Sequence, residues 1–210
     1  MHGEVLNADS AGLRRKIARE AATLLYFGLE KEYKQAKLKA AENLGVHVLP
    51  ANLEVALELD KVAEENEGSA RTERLVQMRK EALEIMKLLK AYFPLLIGSV
   101  WRGTIRRGSD IDIAVYHDEP EEIVSLLRAE GLKISRTERM TVNKHGKTEA
   151  SFHIHAESSG KQAVEIVVRS SEEAGRKREC EVFGDEIKGL KVNELEKLLR
   201  ENAGQRFLPS

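Results

Sequence analysis

One segment constrains this chain more than any other: residues 98–115, which read GSVWRGTIRRGSDIDIAV. An apolar run ends at Gly98-Ser99, where the sequence predicts a short helix whose first N–H groups and Ser99 hydroxyl point at one place. Further on, Asp110 and Asp112 alternate with apolar β-branched residues, a pattern typical of a strand. Both carboxylates then project from one face, with Cα atoms about 6–7 Å apart. The segment therefore predicts a phosphate-binding turn beside a carboxylate pair.

The residue types in this segment match the chemistry of a magnesium–nucleotide site. A carboxylate pair supplies the hard oxygen ligands that Mg²⁺ prefers. Three arginines, Arg102, Arg106 and Arg107, lie between the turn and the carboxylates, and a planar guanidinium suits contacts to phosphate. Each feature alone has an ordinary interpretation, as a turn, a solvated charge run or an exposed strand face. Their combination after an apolar strand favours binding of a nucleoside triphosphate over those interpretations.

Gly98-Ser99 followed by Asp110-x-Asp112 resembles the signature of the DNA polymerase β-like nucleotidyltransferase superfamily. The added Arg102-Gly103-Thr104 makes the segment similar to archaeal CCA-adding tRNA nucleotidyltransferases and to the poly(A) polymerase and oligoadenylate synthetase branch. The resemblance implies an enzyme in which an acceptor hydroxyl attacks the α-phosphate of a nucleoside triphosphate, with ATP the expected donor, and pyrophosphate leaves. It also implies two Mg²⁺ ions and a third acid on a neighbouring strand.

The third acid predicted by this resemblance is Glu165. Residues 162–168 read QAVEIVV, which places Val164, Ile166 and Val168 on a buried strand face and Glu165 on the other face. The superfamily commonly has aspartate at this point, but glutamate is also a competent Mg²⁺ ligand. An ordinary exposed strand face is the alternative interpretation.

The resemblance also assigns a role to each residue of the predicted site. Asp110 and Asp112 would bind both Mg²⁺ ions, and Glu165 would bind the ion nearest the acceptor. Ser99 and the backbone of Gly98-Ser99 would hold the β- and γ-phosphates. Arg102 would neutralise phosphate charge. These are the expected catalytic, nucleotide-binding and metal-binding residues.

The chain as a whole predicts an α+β fold with a helical beginning. Apolar spacings of three and four residues predict helices over 11–44, 52–65 and 69–92, and the remainder predicts a mixed β-sheet flanked by helices. The expected division is a helical module, residues 1–92, and a nucleotidyltransferase catalytic domain with C-terminal helices, residues 93–210. In the sheet, strands over 132–142 and 148–156 are expected to flank a turn, and the strand of Glu165 follows.

Composition indicates a globular cytoplasmic protein. The 210 residues are 41% hydrophobic and 33% charged with a net charge of −1, and the sequence contains no 18-residue apolar run, so no membrane partner is expected. Because Cys180 is the one cysteine, an internal disulfide and a cysteine-based zinc site are excluded. A net charge near zero does not by itself indicate binding of nucleic acid.

The acceptor is left open by the sequence, with an RNA 3′ end, tRNA-like in the closest resemblance, as the first hypothesis. The similarity to CCA-adding enzymes favours it. A short charge run is usually a solvated surface, but three local basic clusters could converge on one cleft; they are Arg102, Arg106 and Arg107, then Lys133, Arg136, Arg139, Lys144 and Lys147, then Arg176, Lys177 and Arg178. The alternatives are a partner protein, by resemblance to AMPylating toxin–antitoxin nucleotidyltransferases, a small-molecule acceptor, and a non-catalytic nucleotide- or RNA-binding scaffold. His153 and His155 share one strand face and could line the acceptor side if their strand neighbours that of Glu165.

Overall fold

The structure is a computed structural model that describes residues 2–144 and 147–209, with side chains described for 11–141 and 150–209. The predicted turn at His145 and Gly146 lies outside the described residues. The chain forms two compact units, Met1–Gly68 with Glu179–Asp185, and Ser69–Arg178 with Glu186–Ser210. The predicted functional division at residue 92 stays a prediction.

The first unit contains three helices, α1 (His2–Tyr26), α2 (Tyr33–Asn43) and α3 (Asn52–Glu67). The prediction of one helix over 11–44 was wrong in its continuity, because the chain breaks after Tyr26. Gly28 lies in this break at φ 69°, a left-handed conformation that glycine adopts without steric cost. The three helices pack around a common core that is apolar and rich in alanine. This core includes Ile17, Ala21, Leu25, Ala36, Ala40, Val55, Leu59 and Val62.

The second unit is built on a five-stranded mixed sheet in the order β1-β2-β5-β4-β3. The strands are β1 (Leu95–Ile97), β2 (Ile111–Tyr116), β3 (Lys133–Lys144), β4 (Lys147–Glu157) and β5 (Ala163–Arg169). The helices of this unit are α4 (Ser69–Leu88), α5 (Gly98–Arg102), α6 (Pro120–Ala129) and α7 (Val192–Glu201). β2 and β5 run parallel, and every other strand pair is antiparallel. This arrangement confirms the predicted mixed sheet flanked by helices.

One face of the sheet is apolar and is buried over β2 and β5. Ile111, Ile113 and Val115 of β2 are all 0% exposed, and the alternate residues of β5 pack into the same core. The helix α4 contributes the apolar stripe that the sequence predicted, formed by Leu75, Met78, Ala82, Ile85 and Leu89. Because successive strand residues point to opposite faces, burying these residues directs Asp112 and Glu165 to the other face. The fold of the core thus decides where the acidic side chains point.

The segment between β5 and α7 differs from the expectation of a helical C-terminal region. Between Ala174 and Lys191 the structure has turns and isolated bridges, and helix resumes at Val192. Within it, Leu190 exchanges two backbone hydrogen bonds of 2.9 Å with Leu96, which pairs the outer edge of β1. Among the described residues, no helix is long and apolar enough to cross a membrane.

Candidate active site

Three carboxylates meet on the polar face of the sheet. Asp112 on β2 lies directly opposite Glu165 on β5, because the two strands are parallel neighbours in that register. Asp110 immediately precedes β2. One carboxylate oxygen from each of the three residues lies within 4.8 Å of the others, and all three side chains are partly buried. The structure therefore brings together the three acids that the sequence singled out.

The charges of the three carboxylates favour binding of a cation. Burial raises the pKa of Asp112 well above its usual value, and the charges of Asp110 and Glu165 raise it further. Negative charge is thus held where it is poorly solvated and repelled by two neighbours. A divalent cation with a preference for oxygen ligands removes both penalties at once. The three carboxylates form a donor set consistent with binding of a divalent cation.

Gly98 places the start of α5 directly against this cluster. The preceding residue, Ile97, pairs with Asp112 between strands β1 and β2. Gly98 itself has φ 69°. A Cβ at residue 98 would lie 1.9 Å from the Asp112 Oδ2 atom, a distance that no side chain could accept. Glycine is therefore required here both by conformation and by space. The backbone of the Gly-Ser turn and the carboxylates share one small region.

Two buried arginines of α4 donate hydrogen bonds to α5 and to the loop after it. Arg79 is 0% exposed, and its guanidinium donates hydrogen bonds to the carbonyl oxygens of Val100 and Trp101, at 3.0 and 2.8 Å. Arg71 donates a 2.7 Å hydrogen bond to the carbonyl oxygen of Ile105. Burial lowers the pKa of Arg79 to about 10, which leaves it charged at neutral pH. The bonds from Arg79 satisfy carbonyls of the five-residue helix α5, and the bond from Arg71 holds the loop that follows it.

Sequence reasoning missed this anchoring role of Arg79. The signal was present, since Arg79 is four residues after Leu75 and three before Ala82 and therefore falls on the apolar stripe of α4. A charged residue on a buried stripe indicates a buried hydrogen-bonding function.

Arg102 lies in a different environment from the one that the resemblance implied. It is 3% exposed at the end of α5, with its guanidinium 4.4 Å from the centre of the Trp101 ring and an NH1 donating to the Phe207 carbonyl oxygen at 3.2 Å. The structure thus gives Arg102 a packing contact that sequence reasoning did not anticipate. Its contact with phosphate stays a prediction.

Two histidines stand beside Glu165. β4 pairs with β5, and His155 lies opposite Glu165 in that register, so the condition set by the sequence is met. The Nδ1 atom of His153 lies 2.6 Å from Glu165 Oε1, and its Nε2 atom lies 2.8 Å from the Ser151 hydroxyl. His155 Nε2 lies 3.0 Å from Glu138 Oε1. The contact with His153 fixes the orientation of the Glu165 carboxylate.

Comparisons with known proteins identify the family of this chain, but they do not identify its substrate. No curated protein matches the chain. A solved cytoplasmic RNA terminal U-transferase is 17% identical with a TM-score of 0.31, covering 52% of this chain and 34% of its own. A structure of the GLD-2/RNP-8 complex is 10% identical with a TM-score of 0.32, covering 59% of this chain and 39% of its own. This chain therefore spans little more than a third of their length, and so distant a likeness says nothing about substrate.

The profile of the nucleotidyltransferase domain matches residues 78–198, which is 121 of the 210 residues. The matched range runs from α4 into α7 and includes the Gly-Ser turn and all three carboxylates. The match confirms the superfamily resemblance, the fold class and the nucleotidyltransferase assignment predicted from the sequence. The chain belongs to the nucleotidyltransferase domain family.

Proposed function

We propose that the chain transfers a nucleoside monophosphate from a nucleoside triphosphate, with ATP as the expected donor, to the 3′ hydroxyl of an RNA acceptor, and that Mg²⁺ is required. The observation that carries the proposal is the convergence of Asp110, Asp112 and Glu165, with oxygens within 4.8 Å, beside the backbone of Gly98. Three carboxylates held close together destabilise the folded state by charge repulsion. A bound cation with a triphosphate would remove this repulsion.

Each group of residues has a separable task in this reaction. The Gly98-Ser99 backbone and the Ser99 hydroxyl bind the β- and γ-phosphates, as helix-start groups do for anions. Asp110, Asp112 and Glu165 would hold divalent cations, which would supply positive charge that lowers the pKa of the attacking hydroxyl and balances charge on the leaving oxygen. The protein thereby contributes mainly position and electrostatics.

Glu165 is the acid expected closest to the acceptor, and His153 orients it. With its Nδ1 atom 2.6 Å from Glu165 Oε1, the imidazole leaves the second carboxylate oxygen available to a cation. His155, opposite Glu165 on β4, extends the same polar face toward β3.

An RNA acceptor is favoured by two features of the chain. The Arg102-Gly103-Thr104 segment resembles enzymes that extend RNA, and eleven of the 34 lysine and arginine residues lie in three short clusters. A strand bound through phosphate contacts should lose affinity steeply as salt rises. A protein or small-molecule acceptor requires neither feature.

The test is to incubate the protein with Mg²⁺, each nucleoside triphosphate labelled at the α-phosphate, and a cell extract separated afterwards into RNA, protein and small molecules. Label at RNA 3′ ends supports the proposal, whereas label on protein or on metabolites would identify a different acceptor. Asp112→Asn and Glu165→Gln should abolish labelling. Glu84→Gln, at an exposed position of α4, is the matched control and should label normally.

Equal labelling by the wild type and Asp112→Asn would rule out the mechanism. Tight binding of a magnesium–nucleotide complex without labelling of any fraction would instead indicate a non-catalytic scaffold.

A further inference from the structure

A large groove lies in the second unit, away from the carboxylates. Its volume is about 960 Å³, at the upper end of the range for small-molecule sites. It is lined by Leu95 of β1, Tyr116 of β2, Phe93 and Pro94, and by residues 174–177, 186–188, 191–193 and 196. We refer to it as the 93–196 groove.

The 93–196 groove concentrates positive charge in a chain that is nearly neutral. Six cationic side chains line it, namely Lys87, Lys90, Arg176, Lys177, Lys188 and Lys191, against two carboxylates, Glu186 and Glu196. Each carboxylate is already paired, Glu186 with Lys177 at 3.0 Å and Glu196 with Lys87 at 2.9 Å. The excess of four positive charges, in a chain whose net charge is −1, fits a ligand with several negative charges.

The groove also displays an aromatic ring at its side. Phe93 is 72% exposed and has φ 51°, a left-handed conformation that a bulky residue adopts at a cost. Exposure and strain together are unusual for phenylalanine, and a ring held in this way offers a flat surface for stacking. Cations beside an exposed aromatic ring are the combination with which proteins bind single-stranded nucleic acid.

The position of the groove relates it to the proposed reaction. Leu95 is paired with Ala114 and Ile97 with Asp112, so Leu95, Tyr116 and Asp112 share one sheet face. Tyr116 is four residues beyond Asp112, which is about 13 Å along β2. At about 3.4 Å per stacked nucleotide, this separation corresponds to about four nucleotides.

We propose that the 93–196 groove binds the single-stranded segment of the acceptor that lies upstream of its 3′ hydroxyl. This inference rests on the proposed function, because it takes the carboxylates as the position of the 3′ end. The lysines contact phosphates, and Phe93 stacks on a base. A free nucleoside triphosphate bound by the carboxylates would not need a cationic wall at this distance.

Binding is tested first, without turnover. Fluorescein-labelled 12-nucleotide RNA is titrated with the full chain at 0.1 to 1 M salt, using fluorescence anisotropy. The double substitution Lys188→Gln with Lys191→Gln should reduce the salt slope by about 1.4, since each single-strand phosphate contact contributes about 0.7, and should weaken binding about 25-fold at 0.1 M relative to 1 M. Lys80→Gln, at an exposed position of α4 outside the groove, should change neither quantity.

The aromatic contact has its own variants. Phe93→Leu should weaken RNA binding roughly tenfold, and Phe93→Tyr should restore it, because a base stacks on either aromatic ring. A leucine at this position keeps an apolar side chain, so a general loss of fold is not expected. Wild-type affinity in Phe93→Leu and an unchanged salt slope in the lysine variant would overturn the proposal.

Turnover on acceptors of different lengths separates this inference from the proposed function. The groove variants should slow transfer to a 12-nucleotide acceptor and leave transfer to a dinucleotide unchanged. Equal slowing on both lengths would mean that the groove serves the nucleotide donor, which contradicts the proposal. Groove-dependent RNA binding without any transfer would refute the proposed function alone, and transfer unaffected by the groove variants would refute this inference alone.

Discussion

Replacing Gly98 with alanine tests whether the site depends on the close approach of the Gly-Ser turn to Asp112. The new Cβ would lie 1.9 Å from Asp112 Oδ2, whereas such contacts are essentially never shorter than 3.0 Å, so the carboxylate has to move by at least 1.1 Å (3.0 − 1.9). A misplacement of about 1 Å at a reacting centre costs roughly 10²-fold in rate. We therefore expect nucleotidyl transfer by Gly98→Ala to fall about 100-fold and its affinity for Mn²⁺, measured by calorimetry, to fall as well.

The matched control for Gly98→Ala is Gly131→Ala. Both glycines have positive φ, 69° and 84°, but a Cβ at residue 131 would meet nothing within 4 Å. Alanine in this conformation costs roughly 1–2 kcal/mol, which corresponds to a fall of about 2–8 °C in Tm at either position. Gly131→Ala should thus lose stability and keep its transfer rate. Transfer rates of the two variants within threefold of each other would refute the argument from the 1.9 Å contact.

Three further predictions concern charge. Asp112→Asn should raise the Tm of the metal-free protein at neutral pH and remove any Tm increase caused by Mg²⁺, because it relieves the burial and repulsion that raise the pKa of Asp112. The folded state keeps a proton on Asp112 that the unfolded state releases. The free energy of unfolding of the metal-free wild type, relative to that of Asp112→Asn, should therefore fall as pH rises above about 4. Urea titrations at several pH values measure this difference, and a difference that does not change with pH would contradict the prediction. Arg79→Met should cost about 3 kcal/mol or more, since it strands buried carbonyls of α5, whereas Lys80→Met should stay within about 0.5 kcal/mol by the same titration.

The strand pattern predicted the sheet face on which each acidic side chain lies, and the reason is geometrical. A period of two, read from Ile111 to Val115 and from Val164 to Val168, assigns every side chain to a face once the apolar face is known to be buried. The pairing of β2 with β5 came from the family resemblance, because pairing between distant strands leaves no local signal. The structure supplies the register that places Asp112 opposite Glu165.

Features that depend on a single contact could not be predicted in the same way. The break at Gly28 and the clash at Gly98 both involve glycine, but the sequence does not distinguish a glycine needed for its φ from one needed for its lack of a side chain. The packing of Arg102 on Trp101 and Phe207 depends on where the last residues of the chain return. The exposure of Phe93 is likewise visible only in the folded chain.

The two faces of the sheet explain how the fold tolerates the acidic cluster. Two unit charges 4.8 Å apart, the upper limit for the oxygens of this cluster, repel each other by about 3.5 kcal/mol at an effective dielectric constant of 20. A fully buried isoleucine or valine contributes about 1.5–3 kcal/mol in the opposite direction. Ile111, Ile113 and Val115, each 0% exposed, lie on the strand that carries Asp112, so the core beneath the site offsets repulsion above it. Ile113→Ala should therefore lower the free energy of unfolding by about the same amount with and without Mg²⁺, because the substitution acts on the core and the cation acts on the polar face.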